Sequence, residues 1–259
     1  MENDKIQDFI LSEDGKTLIS CKNISVTNIS IPYGVETIGE EAFCGCTSLQ
    51  SIDIPDSVTT IGEGAFRGCK SLQSIDIPDS VTTIGREAFF ECKSLQSIDI
   101  PDSVTTIGIG AFSECTSLQS IDVAVTNPKF TSFDGILFNK EKSTIIRMPE
   151  GIGITEYTIS DSVTTIGIGA FSGCKSLQSI DILDSVTTIE SGAFSRCESL
   201  QSIRMHHKDI KACSIGDRAF DEINFDECIL YIPSGTRWAY RHHSIFGKFK
   251  NIETEKREK

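Results

Sequence analysis

The hydrophobic residues of this chain recur at a fixed distance of 23 positions. The leucines show it most clearly: Leu49, Leu72, Leu95 and Leu118 follow each other at 23 residues, as do Leu177 and Leu200, while 59 residues separate the two sets. Around them, six near-copies follow the pattern SLQSIDIPDSVTTIGxxAFxxCx. Shared residues at one short period are typical of a solenoid, in which each unit buries its apolar side only against its neighbours. We therefore expect equivalent side chains to stack in columns.

Each unit predicts the same succession of short elements. Ile52 and Ile54 lie two residues apart, so they point to one side of a strand. Pro55 ends that strand because proline has no N–H to give to a ladder. Residues 58–61 predict a second short β segment on the far wall, followed by a bend that Gly62 permits. The sequence therefore predicts two strands in every repeat.

The end of each unit predicts one helical turn, because Ala65, Phe66 and Cys69 have helical spacing. Stacked units should then bury two columns of like side chains. The phenylalanines are Phe43, Phe66, Phe89, Phe112, Phe171 and Phe194, with Phe220 ending the column. The cysteines are Cys46, Cys69, Cys92, Cys115, Cys174 and Cys197. We interpret the thiols as small apolar packing, since disulfides would pair neighbours selectively and metal sites favour paired C-x-x-C motifs.

Residues 124–153 interrupt the period and predict a β-hairpin. Its arms are Ile136 to Phe138 and Thr144 to Met148, with a polar turn from Asn139 to Lys142. Because Met148-Pro149 resembles the Ile-Pro end of the repeat strand, we expect the second arm to join the main sheet. The N-terminal segment FILSEDGKTLISC matches ILFNKEKSTIIRM with a one-residue slip. The chain therefore has two unequal halves, each a hairpin followed by repeats.

We predict one continuous domain over residues 1–252, because no Gly/Ser-rich or charged linker separates the halves. The ends of a solenoid expose core and need caps. At the rear, a helix beginning near Ser234 would bring in Trp238 and Tyr240. The predicted parts are an N-terminal hairpin cap (1–30), repeats (31–123), the hairpin interlude (124–153), repeats (154–228), a C-terminal cap (229–252) and a frayed tail (253–259).

The motif IPxSVTxIGxxAFxxC resembles the BspA-like, or Treponema pallidum-type, leucine-rich repeats over roughly residues 5–252. The interlude DGILFNKEKSTIIRMP and the ending LYIPSGTRWAYRHHSIFGKFKNI resemble the same family. The fold expected is a leucine-rich repeat solenoid with a curved parallel β-sheet on the concave side and short β segments and short helical turns on the convex side. It has a β-hairpin N-cap and a C-terminal helical cap. The resemblance implies a cell-surface or secreted protein active in adhesion, and no catalytic residues.

The net charge of the chain excludes some classes of binding partner. A formal net charge of −13 and a pI near 4.8 argue against binding to nucleic acid or to an anionic membrane. No apolar run reaches the roughly 18 residues of a membrane span. The first residues, MENDKIQDFI, lack the pattern of a secretory signal. The family resemblance therefore predicts a surface or secreted location, whereas a complete chain with this beginning predicts a cytoplasmic one.

The candidate binding residues are the strand positions that would point away from the core, toward the concave face. They are Gln50, Asp53, Gln73, Asp76, Gln96, Asp99, Gln119, Asp122, Gln178, Asp181, Gln201 and Arg204. Strands lie about 4.8 Å apart, so stacked aspartates repel by roughly 0.9 kcal/mol even in water. A second aspartate column lies at the strand-end turn: Asp56, Asp79, Asp102, Asp161 and Asp184. A plain solvated face is the simpler interpretation, and a strip for a basic partner or weakly bound cations is the functional one.

The sameness of these positions favours an extended or repetitive protein ligand that gains affinity through multiplicity, although recent tandem duplication explains it equally well. A carbohydrate ligand is disfavoured, because the presumed face lacks aromatic residues. The sequence contains no catalytic or nucleotide-binding motif. Its histidines are the adjacent pairs His206-His207 and His242-His243, a poor chelate on a strand.

We therefore predict a monomeric, non-catalytic, adhesion-type protein-binding module that uses no cofactor and no metal. The alternative is an intracellular scaffold or structural repeat protein.

Overall fold

The computed structural model describes residues 9–254. The first eight residues of the predicted N-terminal cap and residues 255–259 of the predicted tail lie outside it. Residues 253 and 254, predicted to fray, belong to the last strand, Asn251–Thr254. The fold divides into two compact units, Met1–Lys140 with Pro149–Ile152, and Glu141–Met148 with Gly153–Lys259. The single continuous domain stays a prediction.

Unit 1 is built from two walls of short strands that alternate along the chain, one strand per wall in most 23-residue coils. Wall A holds the SIDI residues, in the strands Asn28–Ser30, Ser51–Asp53, Ser97–Ile100 and Ser120–Val123. Wall B holds the Thr-Ile pairs, in the strands Thr37–Ile38, Thr60–Ile61, Thr83–Ile84 and Thr106–Ile107. Neighbouring strands of both walls run parallel and in phase, so that Ile98 pairs with Ile121 and Thr60 with Thr83. The predicted second β segment is confirmed.

Unit 2 repeats this arrangement. Its wall A comprises Glu156–Thr158, Ser179–Ile182, Ser202–Met205, Ile229–Ile232 and Asn251–Thr254. Its wall B comprises Thr144–Arg147, Thr165–Ile166, Thr188–Ile189 and Ser214–Ile215. The alternation of apolar and polar residues buries Ile180 and Ile203 and leaves the polar neighbours on the outer side. Each unit is therefore a stretch of leucine-rich repeat solenoid with parallel sheets.

The segments between wall B and wall A, which we name the turn column, form turns where a helical turn was predicted. In the first coil, the Cys44 N–H donates to the Glu41 carbonyl at 2.9 Å, but the Phe43 N–H donates to the Ala65 carbonyl of the next coil at 2.7 Å. Successive N–H groups alternate between these two directions. An α-helix needs every N–H to bond within its own segment, so the turn column does not become helical.

The predicted columns of phenylalanines are confirmed within each unit. Ring centroids are 5.2 to 5.8 Å apart from Phe43 to Phe112 in unit 1. In unit 2, Phe194 lies 4.9 Å from Phe171 and 5.1 Å from Phe220. The rings are nearly parallel because in-phase coils place each one directly above its equivalent.

The cysteine columns are also buried, and none of their cysteines forms a disulfide within the described residues. They contribute more than apolar volume. The Cys69 thiol donates to the Phe43 carbonyl at 3.2 Å in unit 1, and the Cys197 thiol donates to the Phe171 carbonyl at 3.1 Å in unit 2. The thiols of Cys69, Cys92, Cys115, Cys174 and Cys197 each donate to a backbone carbonyl of the preceding coil.

The burial of the thiols predicts their reactivity. Burial raises the pKa of Cys46 to about 12 and that of Cys213 to about 11, whereas the Cys44 side chain is exposed. The thiolate is the nucleophile, so a maleimide at about pH 8 should label one thiol of the folded chain quickly and all ten only in denaturant. Intact mass spectrometry measures this, and Cys44→Ser should abolish the fast adduct. Rapid labelling of a second thiol would contradict this placement of the cysteines.

In unit 1, a column of serine hydroxyls at the end of wall A bonds three successive coils to the coil before them. The Ser80 hydroxyl donates to the Val58 carbonyl at 2.6 Å, and Ser57 and Ser103 do the same one coil earlier and later. Where the period breaks, longer side chains reach the same acceptor. The Asn127 amide donates to Val104 O in unit 1, and His207 Nε2 lies 2.7 Å from Val186 O in unit 2.

The interlude contains both predicted strands and one antiparallel pair that the sequence did not predict. The antiparallel pair in unit 1 is Phe130–Phe133 with Ile136–Asn139, joined by Asp134 and Gly135. Both joining residues have positive φ, the requirement of a type I′ turn. The predicted second arm, Thr144–Arg147, belongs to wall B of unit 2 and pairs with Thr165–Ile166. The comparison of Met148-Pro149 with Ile-Pro is therefore wrong.

Helix is scarce in the described residues. The segment 229–252 contains an α-helix at Arg237–Arg241 and a 3-10 helix at Phe246–Lys248, and another 3-10 helix spans Ile210–Ala212. Phe246 packs on Phe220 with 5.6 Å between ring centroids. In unit 1, Phe9 of the antiparallel pair Phe9–Leu11 and Thr17–Cys21 meets Phe43 edge-on at 6.2 Å. That these segments act as caps stays a prediction.

Candidate binding face

The outer side of wall A in unit 1 carries one column of serines and one of aspartates. Ser97 pairs with Ser120, and Asp99 pairs with Asp122 on the neighbouring strand. In the same way Ser30 pairs with Asp53. The side chains of Asp53, Asp76, Asp99 and Asp122 are all exposed. The structure thus brings the predicted aspartates of unit 1 onto one face.

The predicted glutamines lie just before these strands and are exposed as well. Their backbones continue the ladder, since the Gln96 N–H donates to the Gln73 carbonyl at 3.3 Å and the Gln119 N–H to the Gln96 carbonyl at 2.8 Å. In unit 2, the Gln201 N–H donates to the Gln178 carbonyl at 2.8 Å. The glutamine side chains therefore form a polar border along wall A in each unit.

Two shallow grooves follow the aspartates of unit 1. One has a volume of about 590 Å³ and is lined by Asp53, Asp56 and Asp76. It lies beside residues 74–77, which have the wall A sequence but are not part of a strand. The other has a volume of about 360 Å³ and is lined by Asp79, Asp99 and Asp122. Both aspartate columns predicted from the sequence line these grooves.

The carboxylates of this face are largely uncompensated. The side-chain carboxylates of Asp53, Asp76 and Asp99 have no ion-pair or hydrogen-bond partner within residues 9–254. Asp122 accepts a hydrogen bond from the Ser120 hydroxyl at 2.7 Å, and Asp102 accepts one from the Thr126 hydroxyl at 3.2 Å. Neither donor is charged. The face therefore presents a negative potential that a cationic partner would neutralise.

Wall A of unit 2 has different chemistry. Asp181 pairs with Arg204 and Arg204 with Tyr231 along adjacent strands. Arg204 Nη1 lies 3.1 and 3.3 Å from the two Asp181 carboxylate oxygens, and the guanidinium lies 5.3 Å from the Tyr231 ring centroid. The predicted residues Asp181 and Arg204 are thus brought together, but as a compensated pair.

Tyr231 was not among the predicted site residues, and its position corrects the argument that this face lacks aromatic residues. The signal was present in the segment LYIP, whose Tyr231 occupies the place of the repeat aspartate. Because only this coil carries tyrosine at that position, the repeat pattern did not predict it.

Within residues 9–254, no group of three or more histidine, cysteine, aspartate or glutamate side chains is arranged to hold a metal ion. His207 turns into the core, while His242 stacks on Trp238 with 4.4 Å between ring centroids. No helix in the same part of the chain is both long and apolar enough to cross a bilayer.

Comparison with known families decides the classification. The family model described as BspA type Leucine rich repeat region matches residues 19–145 and 149–253, in six copies. The chain belongs to the BspA-type leucine-rich repeat family. The resemblance drawn from the sequence motif is therefore confirmed. A leucine-rich repeat protein of this kind is a protein-binding module, and such repeat families are typically non-catalytic.

Several solved structures share the fold of this chain. A leucine-rich repeat protein from Eubacterium ventriosum is 26% identical with a TM-score of 0.68, and the match covers 85% of this chain and 66% of that one. A leucine-rich repeat protein from Bacteroides ovatus is 26% identical with a TM-score of 0.59, covering 96% and 67%. The pneumococcal vaccine antigen PcpA is 17% identical with a TM-score of 0.56, covering 96% and 82%.

This BspA-type chain thus spans about two thirds of the length of the first two structures. No curated protein matches the chain significantly.

Proposed function

We propose that this BspA-type protein is an adhesion-type binding module that holds a basic protein ligand against wall A. The glutamine and aspartate positions of wall A form one such surface in unit 1 and another in unit 2. The proposed contact residues are Gln50, Asp53, Gln73, Asp76, Gln96, Asp99, Gln119, Asp122, Gln178, Asp181, Gln201 and Arg204. The proposal extends the general protein-binding character of the family to one face and one ligand chemistry.

The observation that supports it most is the column of uncompensated aspartates in unit 1. The side-chain carboxylates of three of its four members, Asp53, Asp76 and Asp99, have no partner among the described residues. Some acidic side chains elsewhere on unit 1 do have cations beside them, as in the ion pairs of Lys16 with Glu36 and of Arg67 with Glu87. Repulsion within the column would be relieved by a bound cationic surface.

Surface plasmon resonance with extracellular matrix proteins at micromolar concentration tests the proposal. We expect at least one basic ligand to bind, with affinity that falls as salt is added. The variant in which Asp53, Asp76, Asp99 and Asp122 are all changed to asparagine should weaken binding at least about tenfold.

The matched control removes the same number of charges elsewhere on unit 1. Glu13, Glu40, Glu63 and Glu91, changed together to glutamine, should leave the affinity within about twofold. Equal losses in both variants would show attraction to the net charge alone. Binding to none of the candidates would reject the proposal.

The location of the native protein separates adhesion from the alternative of an intracellular scaffold. Fractionation of the producing cells, followed by immunoblotting, measures it directly. Adhesion requires the protein in the surface or medium fraction, and exclusive recovery from the cytoplasm would favour the scaffold.

A further inference from the structure

The repeat pattern of wall A is abandoned in one place, and a groove lies there. In unit 2 the outer positions Thr158, Asp181, Arg204 and Tyr231 follow each other in register on adjacent strands. The equivalent positions of unit 1 are mostly aspartate. A polar groove of about 340 Å³ runs along these four residues and is bordered by Glu156 and the paired serines Ser179 and Ser202. A chain of near-copies thus varies its side chains at one concave site.

Several polar groups of this groove have no partner within residues 9–254. They are the hydroxyls of Thr158, Ser179, Ser202 and Tyr231 and the carboxylate of Glu156. Each hydroxyl can both donate and accept, and each carboxylate oxygen accepts. Asp181 uses two acceptor positions for Arg204 and keeps others. The groove therefore offers convergent donors and acceptors to a ligand.

The charged groups at its centre are held in place. Arg204 is fixed on one side by the Asp181 carboxylate at 3.1 Å and on the other by the Tyr231 ring. Both partners come from neighbouring strands of the same sheet, so these contacts orient the guanidinium before any ligand arrives. Preorganised polar groups lose little freedom on binding. The pair also neutralises itself, so that the charge left unpaired among the residues lining the groove is that of Glu156.

We propose that this groove of unit 2 binds an uncharged saccharide unit. A sugar ring carries adjacent hydroxyls that donate and accept at once, which matches the mixture of free hydroxyls and carboxylates, and an apolar side that can lie against tyrosine. The volume is within the range of small-ligand sites. A peptide ligand would want an apolar pocket for an anchoring side chain, which this groove lacks. Glu156 repels an acidic sugar.

This site goes beyond the proposed protein-binding role and shares only Asp181 and Arg204 with the contact residues proposed for it. The aspartate column belongs to unit 1, whereas the saccharide groove is formed wholly by unit 2. A single open site of this kind should bind weakly, with Kd on the order of 1 mM, and should gain from repeated sugar units.

Saturation-transfer difference NMR on the full chain tests the site. The neutral probes are methyl glycosides of hexoses and N-acetylhexosamines, and the acidic probe is glucuronate. We expect at least one neutral sugar to give saturable signals. Tyr231→Ala and Arg204→Gln should each reduce its affinity at least about fivefold. Tyr231→Phe, which keeps the ring and removes the hydroxyl, should reduce it less.

Asp99→Ser, at the equivalent wall position of unit 1, is the matched control and should leave saccharide binding unchanged. Far-UV circular dichroism confirms that each variant is folded. The proposal is overturned if no neutral sugar saturates up to about 20 mM, a tenfold and greater excess over the expected Kd. It is equally overturned if only glucuronate binds, or if folded Tyr231→Ala binds like the parent protein.

Discussion

Changing Asn127 to alanine should lower the free energy of unfolding by about 4 kcal/mol, because its buried amide satisfies four backbone groups at once. The side chain is fully buried. Its nitrogen donates to the carbonyls of Pro101 at 2.7 Å and Val104 at 2.9 Å, and its oxygen accepts from the N–H groups of Lys129 and Phe130. Each buried group left without a partner costs roughly 1–3 kcal/mol. Urea unfolding followed by circular dichroism measures the loss.

Asn23 provides the control, since it makes a similar local bond in an exposed place. Its side-chain oxygen accepts from the Ser25 N–H at 3.1 Å. Water can replace that bond, so Asn23→Ala should cost less than about 1 kcal/mol. Comparable losses in the two variants would mean that the amide of Asn127 is not the link between the last regular coil and the irregular segment after it.

Gly85→Ala should cost about 3 kcal/mol or more, because wall B has no room for one methyl group at this position. A Cβ on Gly85 would lie 2.5 Å from the carbonyl carbon of Gly62 and 2.6 Å from the Glu63 nitrogen. Both contacts are with backbone, which cannot turn aside. Close approach of neighbouring coils, rather than the bend predicted at Gly62, accounts for glycine at this point of the repeat. A thermal unfolding scan gives the change in Tm.

Gly45→Ala separates steric contact from backbone conformation. Gly45 has a φ of +73° but nothing within 4 Å of a Cβ placed there. Its substitution should cost only the strain of a left-handed residue, about 1–2 kcal/mol. If Gly45→Ala proved as damaging as Gly85→Ala, the packing explanation for the wall B glycines would fail.

The columns of the fold could be predicted because the repeats of this chain can be aligned with one another. When identical residues recur every 23 positions, Phe66 must lie over Phe43 and Asp122 beside Asp99, whatever the detailed path of the backbone. Hydrophobic spacing alone did not distinguish a helical turn from the observed turn column, since Ala65 and Phe66 are buried in either case. The turn column is not helical because every second N–H group donates to a carbonyl of the next coil.

The residues that the sequence did not reveal are those without copies. Asn127 and His207 replace the recurring serine bond to a valine carbonyl, and no period points to them. Tyr231 stands alone in the aspartate column of wall A. The Asp134-Gly135 turn did carry a signal, because this dipeptide between alternating apolar residues is typical of a hairpin. The hairpin turn was predicted at residues 139–142 instead.

The hydrogen bonds between coils in the turn column have a direction. The N–H groups of Glu41, Phe43 and Gly45 all donate forward to the following coil, and Gly192 and Phe194 do so in unit 2. The turn column therefore has a direction: its free N–H donors would face the C-terminal end and its free carbonyl acceptors the N-terminal end. If two such columns were ever joined end to end through these groups, donors would meet acceptors only in head-to-tail order, and a symmetric head-to-head contact would set like against like.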